Sequence, residues 1–130
     1  MTKRRSPFPG QVLRKVFNWG DSSAEEPIEM KRPEVAGVKH ADIITSEVQN
    51  TNGEIHKLVL DIDFPVKVVP STTEGHFHLY IDKTMSKKVY FELVRAFVDA
   101  GLVEEGFLGA SLERGFTGVR LPWIKKPQAL

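Results

Sequence analysis

Two stretches of this chain alternate apolar and polar residues with a period of two. Residues 58–64 read Leu-Val-Leu-Asp-Ile-Asp-Phe, and residues 76–81 read His-Phe-His-Leu-Tyr-Ile. Such alternation predicts β-strands, in which residues two apart share a face. Leu58, Leu60, Ile62 and Phe64 then lie on one side of the first strand, with Val59, Asp61 and Asp63 on the other. Phe77, Leu79 and Ile81 oppose His76, His78 and Tyr80 on the second. A longer period follows. Val89, Leu93, Ala96, Phe97 and Ala100 recur at helical spacing, and Val94 and Val98 widen the stripe. Thr84 or Ser86 can cap the start of this helix, and Gly101 suits its end. The predicted helix is about 22 Å long at ~1.5 Å per residue, and its stripe matches the apolar sides of the two strands. The pattern therefore predicts an α+β fold, a small antiparallel or mixed β-sheet with one main helix packed on one face. The opposite face is left open, with the Asp and His side chains on it.

The remaining pattern fills in around this unit. Residues 1–10 carry Lys3, Arg4 and Arg5 before two prolines and a glycine, which predicts a flexible basic arm. Val12, Leu13, Val16 and Phe17 suggest a brief helix within residues 11–19. Residues 20–33 are polar and broken by prolines and read as a linker. Residues 42–48 predict a strand, Asn50-Thr-Asn-Gly53 a turn, and residues 54–64 the returning strand of a hairpin. A short strand over 66–69 and a turn over 70–75 lead to His76. A helical turn over 108–114 and a last strand over 117–121 precede Pro122 and Trp123. The predicted organisation is an arm and linker over 1–33, a single α+β domain over 34–123, and a basic tail over 124–130.

Composition narrows the function classes. The 130 residues are 41% hydrophobic and 27% charged, with a net charge of +1, so no global field gathers nucleic acid and any such binding needs a local basic patch. No apolar run approaches the ~18–20 residues of a membrane span, and the basic N-terminus lacks the apolar core of a secretory signal. The absence of cysteine excludes disulfides, thiolate metal sites and thiol nucleophiles. It fits a cytoplasmic protein.

The candidate chemistry lies on the open face. Two carboxylates at i and i+2 of a strand sit ~6.5–7 Å apart and repel unless water or a cation compensates. Asp61 and Asp63 could therefore hold a hard cation, Mg²⁺ or Mn²⁺, which takes oxygen ligands and bridges to phosphates. The plainer alternative is a solvated strand end. His76 and His78 form an H-x-H pair that could ligate a metal or meet a phosphate, or simply face water. Arg120 could grip a phosphate with both arms of its guanidinium if its strand joins the same sheet. Trp123 could stack a base, although a tryptophan beside a proline at a domain edge also serves packing.

Taken together, Leu58-Val-Leu-Asp-Ile-Asp63, Gly75-His-Phe-His-Leu-Tyr80 and Val119-Arg-Leu-Pro122 resemble motifs of the archaeo-eukaryotic primase and primase-polymerase superfamily. The layout also resembles that of small proteins encoded by phages of actinobacteria. The resemblance covers residues 58–122. It implies an RRM-like primase core in which Asp61 and Asp63 bind divalent metal, while His78 contacts the phosphates of a nucleotide. His76 departs from the family, which has a small residue there. A third acidic ligand is not evident, since Glu104 and Glu105 fall in a connection.

Three functions follow as expectations. The first is a primase-polymerase-like domain that binds nucleotide or nucleic acid with Mg²⁺ or Mn²⁺ and is reduced or inactive as a polymerase. In it Asp61, Asp63 and His78 are the catalytic set, and His76 and Arg120 hold the nucleotide. The second is a non-catalytic phage-encoded protein that binds a host or replisome protein in the cytoplasm of a bacterial cell. The third is a metal-dependent nuclease built on the same residues.

Overall fold

The computed structural model describes residues 5–15 and 34–125. The order of elements is β1 (Gln11–Lys15), β2 (Glu34–Val35), β3 (Ile43–Val48), β4 (Val66–Pro70), β5 (Phe77–Ile81), α1 (Lys87–Asp99) and α2 (Glu105–Arg114). This is a small α+β fold with two antiparallel sheets and two helices. The chain divides into two compact units, Met1–Asp61 and Ile62–Leu130.

The first unit is a three-stranded sheet of order β2-β1-β3. Its central strand falls where the sequence predicts a brief helix, inside the stretch assigned to an arm and linker. Residues 16–19 of that helix, and the linker over 20–33, lie outside the described residues. Strand pairing explains the difference: β1 is flanked on both edges, with Arg14 opposite Val35 on one side and Leu13 opposite Ile44 on the other. A register shift between Gln11 and Leu13 would strand backbone groups, and side chains take them up. The Thr45 hydroxyl donates to Val12 O and accepts from Glu47 N, and Gln11 Nε2 donates to Thr45 O at 2.7 Å. Gln11 is buried as a result.

The turn after β3 forms as its sequence demands. Asn50, Asn52 and Gly53 all have positive φ, at 63°, 54° and 74°, the region that asparagine and glycine tolerate best. His56 ties the turn down: Nε2–H donates to Gly53 O at 2.8 Å, which in the neutral ring leaves Nδ1 to accept from the Ser46 hydroxyl. The returning strand stops early, however. Pairing with β3 runs through Ile55, His56 and Lys57, and residues 58–64 form no strand. Leu58 and Leu60 stay 61% and 59% exposed. No buried face rewards the alternation there.

The second unit holds the β4–β5 hairpin and the two helices. Ser71 N donates to His76 O, His76 N donates to Thr73 O, and Gly75 adopts φ 79°. These features close the turn expected over 70–75. Helix α1 starts at Ser86, whose hydroxyl accepts from Val89 N at 3.2 Å. It ends at Ala100, followed by Gly101 at φ 78°. Among the described residues neither helix packs on the hairpin, which corrects the expected helix-on-sheet layer. The helices pack on each other instead. Val94 is buried on α1 and Tyr90, Phe91, Phe97 and Val98 are half-buried, while Val89 and Leu93 stay exposed. The buried stripe is thus rotated from the expected one, towards the partner that α2 supplies with Leu108 and Ser111. Residues 117–121 form no strand, contrary to expectation, and α2 is a full helix of 10 residues.

Candidate functional site

The expected site residues fall into three local settings. Asp61 is the last residue of the first compact unit, and Asp63 is the second residue of the next, which begins at Ile62. Both carboxylates are exposed, and neither belongs to a strand. The strand geometry that would hold them at fixed spacing on one face is therefore missing. Beside Asp63, the Lys83 ammonium sits 4.9 Å from the centroid of the Phe64 ring, a cation–π contact.

His76 and His78 belong to the hairpin. His78 pairs with Val69 and Tyr80 with Lys67, so Lys67, Val69, His78 and Tyr80 share one face. His78 is half-buried, and His76 is exposed at the end of the turn. The other face carries Val66, Val68, Pro70, Phe77, Leu79 and Ile81. Arg120 is exposed within the irregular segment after α2. That segment is fixed to α1 by a hydrogen bond between Tyr90 Oη and Thr117 Oγ1.

Among the described residues no three His, Asp or Glu side chains come together as a group able to hold a metal ion. Asp61 and Asp63 therefore have no third carboxylate or imidazole beside them among the described residues. Glu104 takes the N-cap position of α2 without a side-chain hydrogen bond, and Glu105 lies in its first turn. Both settings suit the positive end of a helix dipole, and they account for these two carboxylates without a metal.

Two features escape the sequence reading. One is a groove of about 650 Å³ beside α1 and α2, with Phe91, Leu108 and Leu112 on its walls and Lys87, Lys88 and Arg95 around them. Helical spacing of those basic residues is its signal in the sequence, and α2 had to be recognised first. The other is the extent of the exposed apolar surface on the hairpin. Phe77 is 64%, Val68 60% and Leu79 53% exposed. Among the described residues no helix is long and apolar enough to cross a membrane. No protein-family model, curated protein or solved structure matches this chain.

Proposed function

We propose that this chain is a non-catalytic interaction protein that engages a protein partner through the apolar face of the β4–β5 hairpin. The observation that carries the reading is that face itself: Val66, Val68, Phe77, Leu79 and Ile81 are all exposed, and neither helix covers them. A two-stranded hairpin is marginal in water by itself and gains stability by packing against something else. Contiguous exposed apolar surface is a common mark of a docking site. The partner it would engage is a host or replication protein.

A photoreactive phenylalanine analogue at position 77 is expected to cross-link a discrete partner in cells carrying the chain. The same analogue at Lys67, on the opposite face, is expected to yield no such adduct. A Mn²⁺ titration followed by NMR is the counter-test. Selective broadening at Asp61, Asp63 and His78 would overturn the reading in favour of a metal site.

A second reading keeps the primase-like expectation and rests on the hairpin's other face. Lys67, His78 and Tyr80 lie together there, a cation, an imidazole and a phenol that suit the phosphates and base of a nucleotide. Incubation with labelled single strands, with and without nucleotides and Mn²⁺, separates extension, cleavage and inert binding.

A further inference from the structure

We infer that the outer edge of β5 pairs antiparallel with β5 of a second copy of this chain, about a twofold axis through Leu79. Hydrogen bonds at the two ends of the hairpin fix which backbone groups point where. Ser71 N donates to His76 O, and Asp82 N donates to Pro65 O. Bonded positions alternate along an antiparallel pair, so the backbone groups of His78 and Tyr80 turn inward to Val69 and Lys67. Those of Phe77, Leu79 and Ile81 turn outward, and no third strand takes them among the described residues. Ile81 O accepts from Lys83 N. The N–H groups of Phe77, Leu79 and Ile81 and the carbonyls of Phe77 and Leu79 form the open edge.

The hairpin's two edges are not equivalent. On β4 the outward positions are Val66, Val68 and Pro70, and Pro70 has no N–H to offer. Lys67 lies within that strand. Proline and lysine are the residues that blunt an edge against further pairing. Strand β5, Phe-His-Leu-Tyr-Ile, contains neither, and an unblunted edge is a template for another strand.

The occupant that this edge suits is itself. Paired about Leu79, Phe77 of either copy falls opposite Ile81 of the other, His78 opposite Tyr80, and Leu79 opposite its own counterpart. Each outward-facing residue then meets an outward-facing residue, and one register pairs them all, with the Ile81 carbonyl shared between Lys83 N and the facing Phe77 N. Apolar side chains meet apolar ones on one face, the pairing that stabilises sheets. The product is a four-stranded sheet, past the three strands at which a sheet becomes independently stable. The partner proposed above covers the face and leaves this edge free, so the two readings stand or fall separately.

The chain has no cysteine, so a single introduced one reports the register. Facing Cα atoms of a bonded antiparallel pair sit about 5.5 Å apart, within the span of a disulfide. Leu79→Cys is expected to link most of the chain into a dimer on mild oxidation. Val68→Cys, three strand spacings or ~14 Å from its counterpart, is expected to remain unlinked. Sedimentation equilibrium of the unsubstituted chain is expected to give twice the monomer mass. Leu79→Lys, which sets two ammonium groups opposite each other, is expected to halve that mass while the helical circular dichroism persists. A monomer mass at every concentration, or equal linking through positions 68 and 79, overturns the inference. If Leu79→Lys loses its helices, the two cysteine variants decide.

Discussion

Tyr90 on α1 and Thr117 beyond α2 share a hydrogen bond between their hydroxyls across 27 residues of chain. It anchors an irregular segment that has no ladder of its own. Removing the phenol oxygen while keeping the ring isolates this bond. Tyr90→Phe is expected to cost about 1 kcal/mol, the usual net worth of such a bond. Amide hydrogen exchange at Thr117 and Gly118 should quicken, with α1 itself unaffected. Unchanged exchange there would mean that the segment is held by its apolar residues instead.

Ser111 lies in the interior with its hydroxyl unpaired among the described residues. A buried donor without an acceptor costs about 1–3 kcal/mol, and alanine is the better helix former. Ser111→Ala is therefore expected to raise the midpoint of urea unfolding, by up to that amount in stability. A fall in the midpoint would show that the hydroxyl serves an interaction that the paired helices alone do not reveal.

How much of this was legible in the sequence depends on where each signal lives. The turn at Asn50–Thr51–Asn52–Gly53 and the bounds of α1 at Ser86 and Gly101 are local: backbone sterics and one capping hydroxyl decide them. Both were readable. The alternation over residues 58–64 is also local, but a strand needs a partner, and the sequence says nothing of where pairing with β3 ends. The same gap separates the apolar stripe of α1 from its packing. The pattern shows that a face can be buried, and the partner, α2, determines which face is. For the candidate site, the residue types suggested a metal centre, whereas assembly depends on strand registers that Asp61, Asp63 and Arg120 do not have. The face shared by His78 and Tyr80 was legible, because β5 formed over residues 77–81, while His76 falls just outside it in the turn.

Thr45 is the hinge of the first sheet. Its hydroxyl serves Val12 O and Glu47 N at once, beside the register shift in β1. Thr45→Val keeps the shape and removes both bonds. The expected cost is about 1–2 kcal/mol, measured by chemical denaturation, with faster exchange concentrated in β1 and β3. Arg14, whose Nη2 lies 3.0 Å from Glu47 Oε1 in the same pair of strands, gives the contrasting case. Breaking that partly exposed pair by Glu47→Gln is expected to cost no more than about 1 kcal/mol.

The acidic pair offers a decisive thermodynamic test. A ligand that binds the folded state stabilises it by about 2.7 kcal/mol at a hundred times its dissociation constant, and a small domain shifts its melting point by about 4–8 °C per kcal/mol. A working site for Mg²⁺ or Mn²⁺ would thus raise the melting temperature by roughly 10 °C or more at saturating metal. Under the interaction reading, Mn²⁺ and chelator are expected to leave the melting curve in place. The double substitution Asp61→Asn with Asp63→Asn removes two exposed charges and is expected to change stability by no more than about 0.5 kcal/mol. A large metal-dependent rise that vanishes in the double variant would restore the metal centre and displace the docking surface as the main function of the chain.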